Sequence, residues 1–164
     1  MVFTMHKNRI WLYLSICLVA ILCATTIKAN DKTYRGWESG SEYNKLYNYK
    51  ERDKFKGYIK SFKKITPLPG MAPATAFLFD DGGETILVHV CPWDWANPKQ
   101  TGLRKGVRTT VKGSWALIDD EDVFMAAKVS QGDDFVFKVR LTKNGKPFWN
   151  MGKEELELEL KNTQ

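Results

Sequence analysis

His89 and Cys91 are the sharpest chemical feature of this 164-residue chain. Two residues apart on an extended segment, they place an imidazole and a thiol on one face, and both groups are good ligands for zinc, copper or haem iron. They supply two ligands where a structural zinc wants four, and Asp94 and Glu84 are the nearest acids in sequence. No metal site is therefore assigned, and no cofactor is expected. A metal or redox centre using His89 and Cys91 stays open as a third reading of function. No C-x-x-C-H occurs, which excludes covalent haem attachment through that motif, and there is no G-x-S-x-G, phosphate loop or acid pair in an apolar setting. The expectation is a protein that binds and does not catalyse.

A second cluster carries charge. Lys45 to Lys64 holds eight basic residues against Glu51 and Asp53, interleaved with Tyr47, Tyr49, Phe55, Tyr58 and Phe62. On a strand, Lys54, Lys56, Tyr58, Lys60, Phe62 and Lys64 would share the outward face, and Phe55, Gly57 and Ile59 the inward one. Cations beside aromatics suit an acidic protein surface, an anionic polymer or single-stranded nucleic acid. The bland alternative is a solvated edge strand whose lysines block aggregation. Trp93 and Trp95, with Asp94 and Asn97, form a third cluster that could stack on a ligand, dock a partner or cap a barrel end. Asp119, Asp120, Glu121 and Asp122 lack the spacing of a calcium loop and read as a turn.

The compartment comes from the first 29 residues. Lys7 and Arg9 precede an apolar run from Ile10 to Cys23, and Ile27-Lys28-Ala29 puts a small residue at the expected cut, so residues 1–29 read as a signal peptide. The alternative is a retained anchor, since the uncharged stretch Ile10 to Ile27 is close to the roughly 17 residues a short spanning helix needs. Membrane association is expected only in that case. A lipoprotein fits poorly, because Cys17 and Cys23 follow Ile16 and Leu22 and not a small residue. Cleavage would reduce the net charge from +6 to +3, since Lys7, Arg9 and Lys28 leave together. Cys91 would then be the one cysteine, and a fold with no internal disulfide must rest on its core.

The remaining 135 or so residues fit one domain. Residues 30–52 read as a polar approach segment outside the core, with a short helical turn near Glu42 to Tyr49. From Asp53, short strands alternate with turn residues, at about 54–64, 74–80, 84–90, 108–117, 122–130 and 134–142. Asp81-Gly82-Gly83 and Asp119-Asp120-Glu121 fit tight antiparallel connections, and Asn97-Pro98 with Gly102 marks a loop or single helical turn. Three strands, an irregular connection and further strands is the order of a small OB-fold-like Greek-key barrel over 53–142. Ile86, Val88 and Val90 should point inward with Phe77 and Phe79, leaving His89, Cys91, Ala76 and Leu78 outside. In the C-terminal extension, 143–164, the run E-E-L-E-L-E-L-K from Glu154 alternates with period two as an added strand or arm would, while its composition favours a helix.

The order of short motifs resembles a group of exported bacterial OB-fold domains. Gly70, Met71, Pro73, Phe77 and Phe79 come first, then Val88, His89 and Pro92, then Gly106, Val111, Gly113 and Ser114. Ala127, Val129 and Gly132 follow, and Arg140, Gly145, Pro147 and Trp149 close the pattern. The resemblance implies the barrel and an extracytoplasmic location, and some of its members are described as nucleic-acid-binding or magnetosome-associated. Where the pattern has a second-strand histidine this chain has Ala76, so a histidine pair across the second and third strands would here be reduced to His89. The expected function is an accessory or assembly subunit for another envelope or extracytoplasmic protein. An anionic-polymer-binding module, including nucleic acid, is the alternative.

Overall fold

The computed structural model describes residues 34–161. The proposed leader and its cut after Ala29 lie outside the described residues. The elements, in order, are α1 (Glu42–Lys45), β1 (Arg52–Ile65), β2 (Ala74–Asp80), β3 (Thr85–Pro92), α2 (Pro98–Thr101), β4 (Arg108–Ile118), β5 (Glu121–Gln131), β6 (Phe135–Lys138), a 3-10 turn (Phe148–Asn150) and α3 (Lys153–Lys161). The expected all-β barrel-like architecture is what forms. Sheet order is β3-β2-β1-β4-β5-β6, and a short parallel pairing of β3 with β5 completes a ring of hydrogen bonds through five strands.

β1 is long enough to serve two neighbours. Arg52 to Tyr58 pairs with β4 and Tyr58 to Ile65 with β2, so the strand turns a barrel corner near Gly57. A Cβ at Gly57 would stand 1.9 Å from the Asp80 carbonyl oxygen, so only glycine admits that close backbone approach. The turn between β4 and β5 needs positive φ at both central residues, and Asp119 and Asp120 adopt φ of 52° and 62°. Aspartate tolerates this conformation better than most side chains.

Phe77, Phe79, Val88, Val90, Val111, Phe124 and Val129 fill the barrel. The N-terminal segment corrects the expectation that it lies outside the core. Trp37 and Tyr43 are among the most completely buried side chains, and Tyr47 joins them. Trp37 Nε1 donates to the Ala72 carbonyl at 2.9 Å, which ties this segment to the Pro69–Pro73 loop. The polar look of residues 34–50 arises because polar residues surround a few aromatic anchors.

At the other end of the chain, Glu154–Lys161 belongs to the helix α3 and not to an added strand. Helix propensity of Glu, Leu and Lys decides here, because period-two alternation stabilises a strand only where a sheet face receives the leucines.

Candidate functional site

Facing outward from β3 does not expose His89, because the N-terminal segment covers that side. His89 and Cys91 are both buried, which corrects their placement on an outer, ligand-accessible face. The expected neighbour is in place: Ala76 is the cross-strand partner of His89. Tyr43 Oη lies 3.2 Å from His89 Nδ1, and the two rings stack. The nearby Arg140 guanidinium lowers the Tyr43 pKa, against the larger upward push of burial. Burial keeps the phenol protonated and the imidazole neutral, so Tyr43 Oη can donate to Nδ1. Burial pushes the His89 pKa down to about 4. The Cys91 thiol is 3.3 Å from the Ala96 carbonyl, and burial pushes its pKa up, so it is packed as a neutral thiol. Among the described residues, no group of three or more His, Cys, Asp or Glu is placed to hold a metal ion.

This arrangement makes a pH prediction. An unfolded histidine titrates near 6.5, so between about pH 6.5 and pH 4 the unfolded chain takes up a proton that folded His89 refuses. Stability should therefore fall as pH drops through that window, by up to roughly 3 kcal/mol from this group, with no contribution to the slope above pH 7. Urea unfolding across pH 4 to 7 checks it. His89→Gln should lose that slope, and an unchanged slope in the variant would contradict the assignment.

Arg140 organises the last motif. Its guanidinium lies 5.1 Å from the Tyr47 ring centroid and 4.9 Å from that of Trp149, and it donates to the Gly145 carbonyl at 3.3 Å and to Asn44 Oδ1 at 2.9 Å. Gly145, at φ 74°, lies where a Cβ would meet the Tyr47 ring at 2.6 Å. Arg140, Gly145, Pro147 and Trp149 thus form a structural knot that binds the segments before β1 and after β6 to each other. Arg140 Nε is buried without a hydrogen-bond partner among the described residues.

The basic ribbon is exposed at Lys54, Lys56, Tyr58 and Lys60. Phe62 leaves it. A bulge at Lys60 shifts the register of β1, so Phe62 opposes the core residue Phe77 and packs against it edge to face, which corrects its placement on the outer surface. Lys60 faces Asp80 at 3.5 Å, and Lys64 Nζ lies 4.7 Å from the Trp93 ring centroid. Trp93 is half-buried beneath that contact. Trp95 packs on Phe137 and Trp149 and is half-buried.

The larger charged feature runs across the strands. Lys54 of β1 opposes Lys112 of β4, Lys112 opposes Lys128 of β5, and Lys128 opposes Lys138 of β6. Directly opposed residues share a sheet face, so four lysines form one row across four neighbouring strands. Strand spacing of about 4.8 Å makes the row about 14 Å long. Like charges directly opposite one another destabilise a sheet, and this row repeats the arrangement three times. Lys54 and Lys112 form no ion pair among the described residues. Burial, then the neighbouring Lys128, lowers the Lys138 pKa, while Glu159 acts the other way. Arg108, opposite Tyr58, extends the basic face.

The sequence profile of the MamS/MamX magnetosome protein family matches residues 51–136, just over half of the chain. The chain belongs to the MamS/MamX magnetosome protein family. The matched span includes β1 to β5 and the start of β6, and with them Lys54, Lys112 and Lys128 of the row. A search of curated proteins finds no match.

Proposed function

We propose that this protein is an exported, non-enzymatic binding protein with an OB-fold-like barrel. It acts as an accessory or assembly subunit for an acidic protein partner in the envelope or extracytoplasmic space. Its family name suggests that the assembly is magnetosome-associated. The observation that carries the reading is the row Lys54-Lys112-Lys128-Lys138, an arrangement that costs stability in the free protein and gains attraction when carboxylates approach. A nucleic acid or acidic glycan is the second reading, favoured by Tyr58, 45% exposed beside Lys56 and Arg108, which offers a ring for stacking.

Two experiments test the proposal. Purification of the tagged protein from its native envelope, with mass spectrometry of what accompanies it, should yield an acidic protein from wild type and lose it from Lys112→Glu. Recovery of nucleic acid or glycan in its place favours the second reading, and an unchanged set of companions contradicts both. For export, N-terminal sequencing should begin at Asn30. A retained Met1 would indicate an anchored protein.

A further inference from the structure

The lysine row ends beside α3. Lys143 pairs with Glu159 at 2.8 Å, and Lys146 holds both oxygens of Glu155 at 2.6 and 2.8 Å. Leu156 and Leu160, one helical turn apart, face a cavity of about 370 Å³ whose other walls include Trp95, Phe137, Phe148 and the row residues Lys128 and Lys138. None of the helix's nine residues is fully buried. So short a helix is marginal by itself, and exposed ion pairs of this kind add little. An acidic helix with two apolar side chains thus lies loosely on a site with an aromatic floor and a basic rim.

We infer that the cavity is a docking site for an acidic amphipathic segment of the protein partner, and that α3 is its intramolecular stand-in. The incoming segment carries two apolar side chains four residues apart, flanked by carboxylates. The apolar pair enters between Trp95, Phe137 and Phe148. The carboxylates meet Lys143 and Lys146, which α3 gives up as it leaves, and the row residues Lys128 and Lys138. Arg140, buried at the side of the adjoining cavity that Lys128, Lys138, Lys143 and Glu159 also line, reinforces the positive potential there. Charge complementarity selects this occupant: α3 itself carries Glu154, Glu155, Glu157 and Glu159. The inference rests on the accessory-subunit reading and specifies the chemistry of the partner.

The test uses the full mature chain and a fluorescent synthetic peptide with the sequence of residues 152–161, followed by anisotropy at low salt. Wild type should bind it weakly, because α3 competes. Leu156→Ala with Leu160→Ala loosens α3 and should tighten peptide binding about ten-fold or more. Adding Lys128→Glu and Lys138→Glu to that variant should abolish binding, and a peptide with serine in place of those two leucines should not bind. A thermal melt of each variant checks that the barrel remains folded. No uptake by the loosened variant, uptake indifferent to the lysines, or dimers of the loosened variant in place of uptake would overturn the inference. Oligoglutamate separates the two levels of the argument: if it binds the lysine row while the peptide does not, only the groove fails, and if neither binds, both fail.

Discussion

Trp37→Ala should lower the stability of the protein by about 3 to 5 kcal/mol, the range for truncating a large buried aromatic. Trp37 is fully buried, and it meets the Tyr43 ring edge to face at 4.7 Å and the Trp149 ring at 5.3 Å. Its indole nitrogen satisfies the Ala72 carbonyl, and its own carbonyl accepts hydrogen bonds from Asn44 Nδ2, Trp149 Nε1 and Asn150 Nδ2. Removing the ring leaves a void at the point where the N-terminal segment, the Pro69–Pro73 loop and the C-terminal turn converge. The midpoint of urea unfolding measures the effect, with Tyr58→Ala as a half-exposed comparison expected to change stability by less than about 1 kcal/mol. A loss under 1 kcal/mol for Trp37→Ala would mean that the segment is an appendage to the barrel.

The second large effect concerns binding. Lys112 stands between Lys54 and Lys128, so Lys112→Glu turns two like-charge pairs into two opposite-charge pairs. Cross-strand pairs are worth roughly 0.2 to 1 kcal/mol each, so the variant should be as stable as wild type or somewhat more stable. Its affinity for an acidic partner should nevertheless fall ten-fold or more, because the central positive charge becomes negative. A rise in stability with a loss of binding is the signature of a surface kept for recognition. An ordinary solvated face would show neither change, and a structural lysine would show a loss of stability.

The barrel was legible because period-two patterning, the Asp81-Gly82-Gly83 turn and the Asp119-Asp120 turn are local signals. The covering of its outer surface was not. Parity assigns His89 correctly to the face opposite Val88, yet it cannot reveal that Tyr43, some 50 residues earlier, lies over that face, or that a bulge at Val90 sets Cys91 against Thr75 and so away from the His89 face. The lysine row was hidden for a related reason. Counting back from the Ile118 and Glu121 pair, a regular hairpin would set Lys112 against Ala127. The bulge at Lys112 and Gly113 advances the register by one and brings Lys128 into line. A bulge of this kind depends on tertiary packing and leaves little mark in the sequence. Phe62 was misplaced by the corresponding bulge in β1. Arg140, Gly145, Pro147 and Trp149 stood out as a motif, but their role as a knot depends on Asn44 and Tyr47, which precede β1.

The most direct test of the central claim is the binding of labelled oligoglutamate to wild type and Lys112→Glu across a series of salt concentrations, with thermal stability of both proteins measured in the same buffers. The account predicts binding by wild type that weakens steeply as salt screens the row, little binding by the variant at any salt, and a variant midpoint equal to or above that of wild type. Equal binding by the two proteins, or a variant that loses binding only because it loses stability, would contradict it.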